Sequence, residues 1–552
     1  MTQPNTQPFY WLNDDSRKFL SKGILNGQDP IERVREIANT AERYLGIPGF
    51  ADKFFDYMGK GWFSLSSPVW PNYGTNRGFP VSCFGGYVPD SMEGIQYTLY
   101  EQAMLTKGGG GTSAYFGAVR PRGAEIKNNG RSDGSVNFMK QFNLMTDVVS
   151  QGNTRRGYMA AYLPIDHDDI EEFLRIGYDG NPIQDLMTGV TISDDWMQAM
   201  IDGDKDKREL WAKVLDARKD HGYPYIVWSD TANNNKPECY ADKPIVASNL
   251  CSEIMLPSNE DESFVCVLCS MNLVHYDEWK DTDAVAILTM FMDTMVDDFI
   301  YKLNNIGADK EGSPYHRVYN FVVNHRALGL GVLGWHSLLQ SKMLPFDSKE
   351  AAKLNLEIFK HINSEAIYAS EQMGILRGRV MGTRRRNTTV MAVAPTKSSS
   401  FVLGQVSQGI EPIMSNYFVN NTAKGVFVYK NPYLEKLLKS IYKDTEEVWE
   451  SIRKAGGSVQ HLEILTDDEK EVFKTFVELD QSVLIDQAGI RQQYIDQGQS
   501  LNIIIDPKMS MKKVNQLYIK AWQMGVKSLY YQFNLSAAQE FTKNKECVAC
   551  HA

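Results

Sequence analysis

Between residues 156 and 280 short apolar runs alternate with amphipathic ones, and this alternation restricts the possible folds more than any other feature of the 552-residue chain. Residues 158–163, 190–192 and 223–228 read as strands. A segment capped at Asp168 with Glu171 three residues on, and residues 194–201, read as helices. Strand, helix, strand in succession predicts parallel pairing, because a parallel neighbour is reached through a crossover and a helix is the usual one. Helices are expected to dominate afterwards, over 284–301, over 326–340, and from Asp347, with Glu350 at the third helical position, to Gly374. Upstream, Asp29 as N-cap, Pro30 at the first helical position and Gly46 as stop bracket a helix with the apolar stripe Ile31, Val34, Ile37, Ala38, Ala41 and Leu45. A last helix over 510–524 ends at Gly525 and leads into a strand over 526–533.

A formal charge of −10 excludes general affinity for nucleic acid or an anionic membrane, since either needs a basic surface. Any polyphosphate must then be held by local groups. No apolar run approaches the length of a membrane span, and the polar start has no signal-peptide pattern. Seven cysteines in a chain this long are not a disulfide scaffold; they suit the reducing cytoplasm, where a disulfide is transient and catalytic. No metal-ligand set is apparent.

The densest chemistry lies in residues 248–273. Asn249, Cys251 and Glu253 share a side if the segment is extended or looped, whereas in a helix they would fan out. Cys266 follows in an apolar run that reads as a buried strand. Either cysteine, taken alone, reads more readily as a small packed hydrophobe. Ser67, Ser82 and Cys83 sit in a Ser/Pro/Gly-rich stretch leading into a strand. The glycines after Lys107 would let an anion approach the backbone, although they match neither a Walker loop nor a dinucleotide fingerprint. Residues 395–400, Pro-Thr-Lys-Ser-Ser-Ser, could cradle phosphate at a helix start or form a plain cap. Tyr530 and Tyr531, adjacent on a strand, would ordinarily point to opposite faces. Cys547 and Cys550 could be a zinc knuckle with His551, but no second ligand pair is evident. Arg384, Arg385 and Arg386 read as a solvated edge, and Cys239 and Cys269 as packing residues.

Asn249-Leu250-Cys251-x-Glu253, a second cysteine in a strand ending Asn272-Leu273, Ser82-Cys83 upstream, the tyrosine pair and the Cys-x-x-Cys tail stand in an order that resembles the large catalytic subunit of class I ribonucleotide reductase. The resemblance runs from about Trp62 to the C-terminus. It implies a ten-stranded α/β barrel made of two five-stranded parallel halves over 65–535, with a finger loop near 251, a helical region over 1–64 and a flexible redox tail over 536–552. It further implies that Cys251 becomes a thiyl radical, that Glu253 and Asn249 act on the 3′-hydroxyl, and that Cys83 and Cys266 supply two electrons as they close to a disulfide. Tyr530 and Tyr531 would relay the oxidising equivalent from the metal cofactor of a radical-generating small (beta) subunit. Cys547 and Cys550 would reopen the disulfide and be reset by thioredoxin or glutaredoxin. Ser67, Ser82, Gly111, Lys397, Ser398 and Ser399 fall on substrate-contacting positions. Asp90, Ser91, Met92, Arg120 and Lys127 fall on positions that meet a dNTP or ATP effector with its Mg2+, and residues 127–135 and 177–185 on the loops that relay effector identity. Lys397 departs from the family's acidic residue, which leaves the diphosphate or triphosphate form of the substrate open. The short N-terminal region implies that the overall-activity (ATP-cone) domain is missing, and a homodimer is expected. An adenosylcobalamin-dependent class II enzyme and a catalytically inactive nucleotide-binding homologue are the alternatives.

Overall fold

A computed structural model describes residues 8–149, 157–380, 382–422 and 425–534. The helix Pro30–Leu45 forms as its end signals predict. The Asp29 carboxylate accepts from the N–H groups of Ile31 and Glu32, and Gly46, at φ 67°, ends the helix in the left-handed region. Its buried stripe, with Trp11 and Phe54 from neighbouring elements, belongs to the same continuous core as the central sheet.

That sheet sets the position of everything else. Five strands lie side by side and parallel: β2 (Cys83–Tyr87), β3 (Gly111–Tyr115), β4 (Met159–Pro164), β5 (Leu186–Ile192) and β6 (Tyr225–Trp228). Their crossovers carry the helices Met92–Lys107, Ser135–Val148, Asp194–Asp202 and Lys205–His221, as the alternation requires. On one side β2 pairs antiparallel with β7 (Phe264–Asn272), every residue of which is buried. β7 then pairs in parallel with β8 (Leu328–Leu333), and a short strand β1 (Phe63–Leu65) runs antiparallel on its other end. Past β8 the ladder continues through the parallel bridges Leu330↔Met391 and Val393↔Gln499. It goes on through Tyr530 N–H to Leu501 O (2.9 Å) and reaches β10 (Ser528–Leu529), which pairs antiparallel with β6. Two parallel sets thus meet at two antiparallel seams. Outside the ring, β9 (Ile503–Ile505) pairs in parallel with β11 (Gln532–Asn534).

Several expectations need correction. Among the described residues this sheet joins nine strands, and the expected count of ten is not confirmed. Residues around 391 and 499 take strand positions only as isolated bridges, because the Asp496 carboxylate accepts the N–H groups of Val390 and Met391 (2.8 Å each) in place of a neighbouring strand. The helix expected over 326–340 is strand β8 followed by the helix Trp335–Ser341. Its run Leu-Gly-Leu-Gly-Val-Leu is too short for periodicity to separate buried strand from helix. The helix expected to be capped at Asp168 is the single turn Ile170–Phe173. Asp169 precedes it, and its carboxylate instead accepts from Arg122 N–H and Ser135 N–H. The long helix Lys349–Arg377 is capped by Ser348, which puts Glu350 at the second helical position. Of the basic run only Arg384 is exposed. Arg385 donates to Thr388 O, and Arg386 faces buried Asp293, which Arg326 and Arg377 also pair. Among the described residues no helix is long and apolar enough to cross a membrane.

Gly329 shows how closely β8 approaches β7. A Cβ there would lie 2.8 Å from Leu268 Cδ2 and 3.0 Å from Cys266 Sγ. Gly329→Ala is therefore expected to cost about 1–3 kcal/mol through overpacking, read as a lower denaturant midpoint.

Candidate functional site

The antiparallel seam between β2 and β7 sets Cys83 directly opposite Cys266. Facing residues in such a pair have Cβ atoms about 4.5–5.5 Å apart, so the two thiols need little movement to reach disulfide geometry. Both are buried. Burial raises the Cys266 thiol well above the ordinary cysteine range, with Cys83 and Glu253 adding to it, so it is held as the protonated thiol. Gln497 Nε2 lies 4.0 Å from Cys266 Sγ, and Asn249 Nδ2 donates to Cys83 Sγ at 3.5 Å.

Asn249 belongs to a loop over residues 244–261 that is neither helix nor strand and enters the ring with Cys251 at its tip. The loop is gathered at its base by Glu262, whose carboxylate meets Lys243 Nζ (2.5 Å), His325 Nε2 (3.0 Å) and Asn324 Nδ2 (2.9 Å). Burial pushes the Glu262 carboxyl up, but these hydrogen bonds outweigh it and bring it down to about 2. At the tip Ser252 is held at φ 61°, which costs a non-glycine residue about 1 kcal/mol, so the turn depends on outside support. That support is dense. Ser113 Oγ donates to Ser248 O (2.8 Å), Tyr162 OH to Asn249 O (2.7 Å), Ser500 Oγ to Cys251 O (2.6 Å), Ser528 Oγ to Ser252 O (2.6 Å) and Gly498 N–H to Glu253 O (2.8 Å). Leu250 packs so close to β3 that a Cβ at Gly111 would lie 2.9 Å from its Cδ2. Gly111 is thus required for the approach of the loop.

Glu253 is fully buried. Its Oε2 meets Ser500 Oγ at 3.0 Å, while Oε1 has no hydrogen-bond partner among the described residues. Burial raises its carboxyl to about 7, and the neighbouring backbone, Asn249 and Ser500 offset only part of that. A carboxyl with a value near neutrality and one uncommitted oxygen suits general acid–base work.

Cys251 shares a buried cluster with Leu250, Met255, Tyr162, Tyr225, Tyr530 and Tyr531. The tyrosine pair lies in the break between β10 and β11, not on one continuous strand as expected. The alternation of faces therefore does not apply, and the two rings sit together with centroids 4.4 Å apart. Tyr225 packs on both, at 4.9 and 5.2 Å. Buried Arg218 donates to Tyr530 O (2.9 Å), and Tyr531 N–H donates to Asn502 Oδ1 (3.0 Å).

A second group of predicted residues converges as well. Ser67, Ser398 and Ser399 line one cavity together with Ser64, Trp11 and Phe19, and Ser399 Oγ donates to Leu65 O (3.4 Å). Thr396, at φ 54°, does not cap the short helix Lys397–Val402, and its hydroxyl accepts from Gly409 N–H instead. Lys397 begins that helix. Ser82 is buried where β2 starts, and its carbonyl accepts from Gly111 N–H (2.7 Å). The third group lies at the opposite end of β2. Asp90 Oδ2 pairs with Arg120 Nε (2.8 Å), Ser91 caps the helix Met92–Lys107, Met92 is exposed, and Lys127 is exposed at the turn joining Glu125–Ile126 to Gly130–Arg131. Cys269 packs with its Sγ against Met295 Sδ, and Cys239 is half-buried. Cys547 and Cys550 lie outside the described residues.

Sequence reasoning missed Gln497, Ser500, Ser528, Tyr225 and Tyr162. All except Tyr225 reach the loop or its thiols through hydrogen bonds across long chain separations, which no local pattern announces. Tyr225 is an aromatic residue in a strand and looks like core.

Comparison with known proteins identifies the family of the chain. The family described as ribonucleotide reductase, barrel domain, matches residues 81–207, 203–384 and 375–532. A Frog virus 3 relative, 35% identical over 544 residues (92% of this chain and 94% of its own), provisionally bears the name ribonucleoside-diphosphate reductase large subunit. The ribonucleoside-diphosphate reductase large subunit of Invertebrate iridescent virus 3 is 32% identical over 563 residues, 87% of each chain. The solved structure of the Actinobacillus ureae class Id ribonucleotide reductase alpha subunit is 50% identical and superposes with a TM-score of 0.91 over 98% of this chain and 100% of its own.

The raised Glu253 carboxyl makes a stability prediction. Its folded value, about 7, exceeds its ordinary 4.5, so its contribution is fully present below about pH 4.5 and is lost as pH rises through 7. Chemical denaturation at a series of pH values is expected to show the parent chain losing stability relative to Glu253→Gln across that window. Parallel curves would contradict the burial argument.

Proposed function

This chain belongs to the ribonucleotide reductase large-subunit family, and from that premise we propose that the thiols at 83, 251 and 266 reduce a ribonucleoside diphosphate to its 2′-deoxy form by radical chemistry. It is an oxidoreductase, the catalytic subunit of a class I reductase. The diphosphate is the substrate class for which its relatives are named. The observation that carries the reading is the register that faces Cys83 with Cys266 while Asn249 and Glu253 close over them from the loop.

Hydroxide leaves poorly from a saturated carbon, and a radical on the neighbouring carbon lowers that barrier. In the proposed sequence the Cys251 sulfur, as a thiyl radical, removes the 3′-hydrogen, and Glu253 Oε1 accepts the proton of the 3′-hydroxyl. Asn249 holds that hydroxyl. Cys83 protonates the departing 2′-hydroxyl, which leaves as water. Cys83 and Cys266 then supply two electrons and one further proton and join as a disulfide, Glu253 returns its proton to the 3′-oxygen, and Cys251 returns its hydrogen to C3′. One ribonucleotide and two thiols become one deoxyribonucleotide, one water and one disulfide. The high proton affinity of buried Cys266 favours this role, since it keeps the hydrogen until the sugar radical is present.

Class I membership implies a separate radical-generating subunit, and the adjacent, tilted rings of Tyr530 and Tyr531, with Cys251 in the same buried cluster, fit a stepwise relay from it. We assign reopening of the disulfide to Cys547 and Cys550, with thioredoxin or glutaredoxin as the outer reductant. The cavity at Ser67, Ser398 and Ser399 is assigned to the substrate, with Lys397 beside it for the phosphates. The Asp90–Arg120 end of β2, with Ser91, Met92 and Lys127, is assigned to a nucleotide effector with Mg2+. A cytoplasmic homodimer completes the proposal.

Cys251→Ala is expected to lower turnover to background while the unfolding free energy changes by less than about 1 kcal/mol. A single turnover without outer reductant is expected to yield one Cys83–Cys266 disulfide per deoxynucleotide, read by peptide mass mapping. Full turnover in Cys251→Ala would overturn the reading. Activity restored by adenosylcobalamin alone would remove the relay and the small subunit from it.

A further inference from the structure

Ser500 is buried and has no role in the scheme above. Its Oγ lies 2.6 Å from the carbonyl oxygen of Cys251 and 3.0 Å from Oε2 of Glu253. A hydroxyl has one proton to give and two lone pairs to accept with. It can donate to the Cys251 carbonyl while accepting from a protonated Glu253, or turn to donate to the ionised carboxylate. In both states Oε2 is committed to Ser500, and Oε1, which has no partner among the described residues, is the oxygen left to face a ligand. Ser500 is itself fixed, since its N–H donates to Val393 O at 2.9 Å. Its neighbours grip the same loop, with Gly498 N–H on Glu253 O and Gln497 Oε1 accepting from Met255 N–H (3.2 Å).

We propose that Ser500 is a positioning residue whose single hydroxyl ties the backbone of Cys251 to the carboxylate of Glu253, so that the hydrogen-abstracting and proton-accepting groups address one sugar carbon together. The proposal rests on the roles assigned to Cys251 and Glu253. A left-handed Ser252 between the two makes the tie necessary, because the turn does not hold its ends in place unaided.

The test is the pH dependence of single-turnover reduction by the full chain with its radical-generating partner. Ser500→Ala removes a hydrogen bond that favours ionised Glu253, so the carboxyl titrates higher and the acidic limb moves to higher pH, by about one unit. At neutral pH the rate falls roughly tenfold with substrate KM unchanged. Ser500→Thr, which keeps the hydroxyl, returns the limb to the parent position, and it carries the test alone if the alanine variant does not fold. A limb that stays put in folded Ser500→Ala, or a Ser500→Thr limb displaced from the parent's, overturns the proposal. Glu253→Gln in the same assay separates the two levels. If it turns over like the parent, the assignment of the base falls and this proposal with it. If it is inactive while the Ser500→Ala limb matches the parent, only the role of Ser500 falls.

Discussion

The antiparallel seam between β2 and β7 is the interaction on which the rest of the site depends. Within each parallel set, consecutive strands are tied by crossover helices and their order follows from local chain direction. Nothing local dictates how the two sets meet. The pairing of Cys83, Phe84 and Gly85 with Cys266, Val265 and Phe264 does so. A slip of one residue would turn one sulfur to the opposite face of the sheet. Gly85 secures the register sterically, since a Cβ there would lie 2.0 Å from the Phe264 ring. Gly329 secures the other flank of Cys266 in the same manner.

Inside this frame, electrostatics separates carboxylates of similar burial. Glu262 lies at the base of the loop against Lys243 and His325, and remains ionised far into acid. Glu253, at the tip, has no cation among the groups that shift it, and burial prevails. The same side-chain chemistry thus gives a permanent anchor at one end of the loop and a titrating group at the other. The difference comes from the company each keeps, because desolvation alone would raise both.

Much of the site was legible in the sequence because its reactive residues are chemically distinctive and closely spaced. Asn249, Cys251 and Glu253 announce themselves within five residues, and Cys266 sits in a run that could only be buried. The strands β4 to β6 were equally readable, since alternation of strand and helix is a local signal, whereas β3 was not read as a strand. β8 was misread because a six-residue apolar stretch has no periodicity long enough to decide, although its paired glycines argued against a helix. The break at Tyr530-Tyr531 was invisible. It arises because residues on either side pair with different strands, one antiparallel to β6 and the other parallel to β9. The supporting hydroxyls at 500 and 528 carry no signature at all, since a serine reads the same whether it meets water or a buried carbonyl.

The supports at 498, 500 and 528 also govern when the site comes into being. A ribosome releases residues 244–261 long before the segment that grips them, and until then the strained turn at Ser252 has few of its bonds. A nascent chain therefore holds Cys251 without the supports that fix the turn around it. The fully supported turn around Cys251 is withheld until residue 528 has been made.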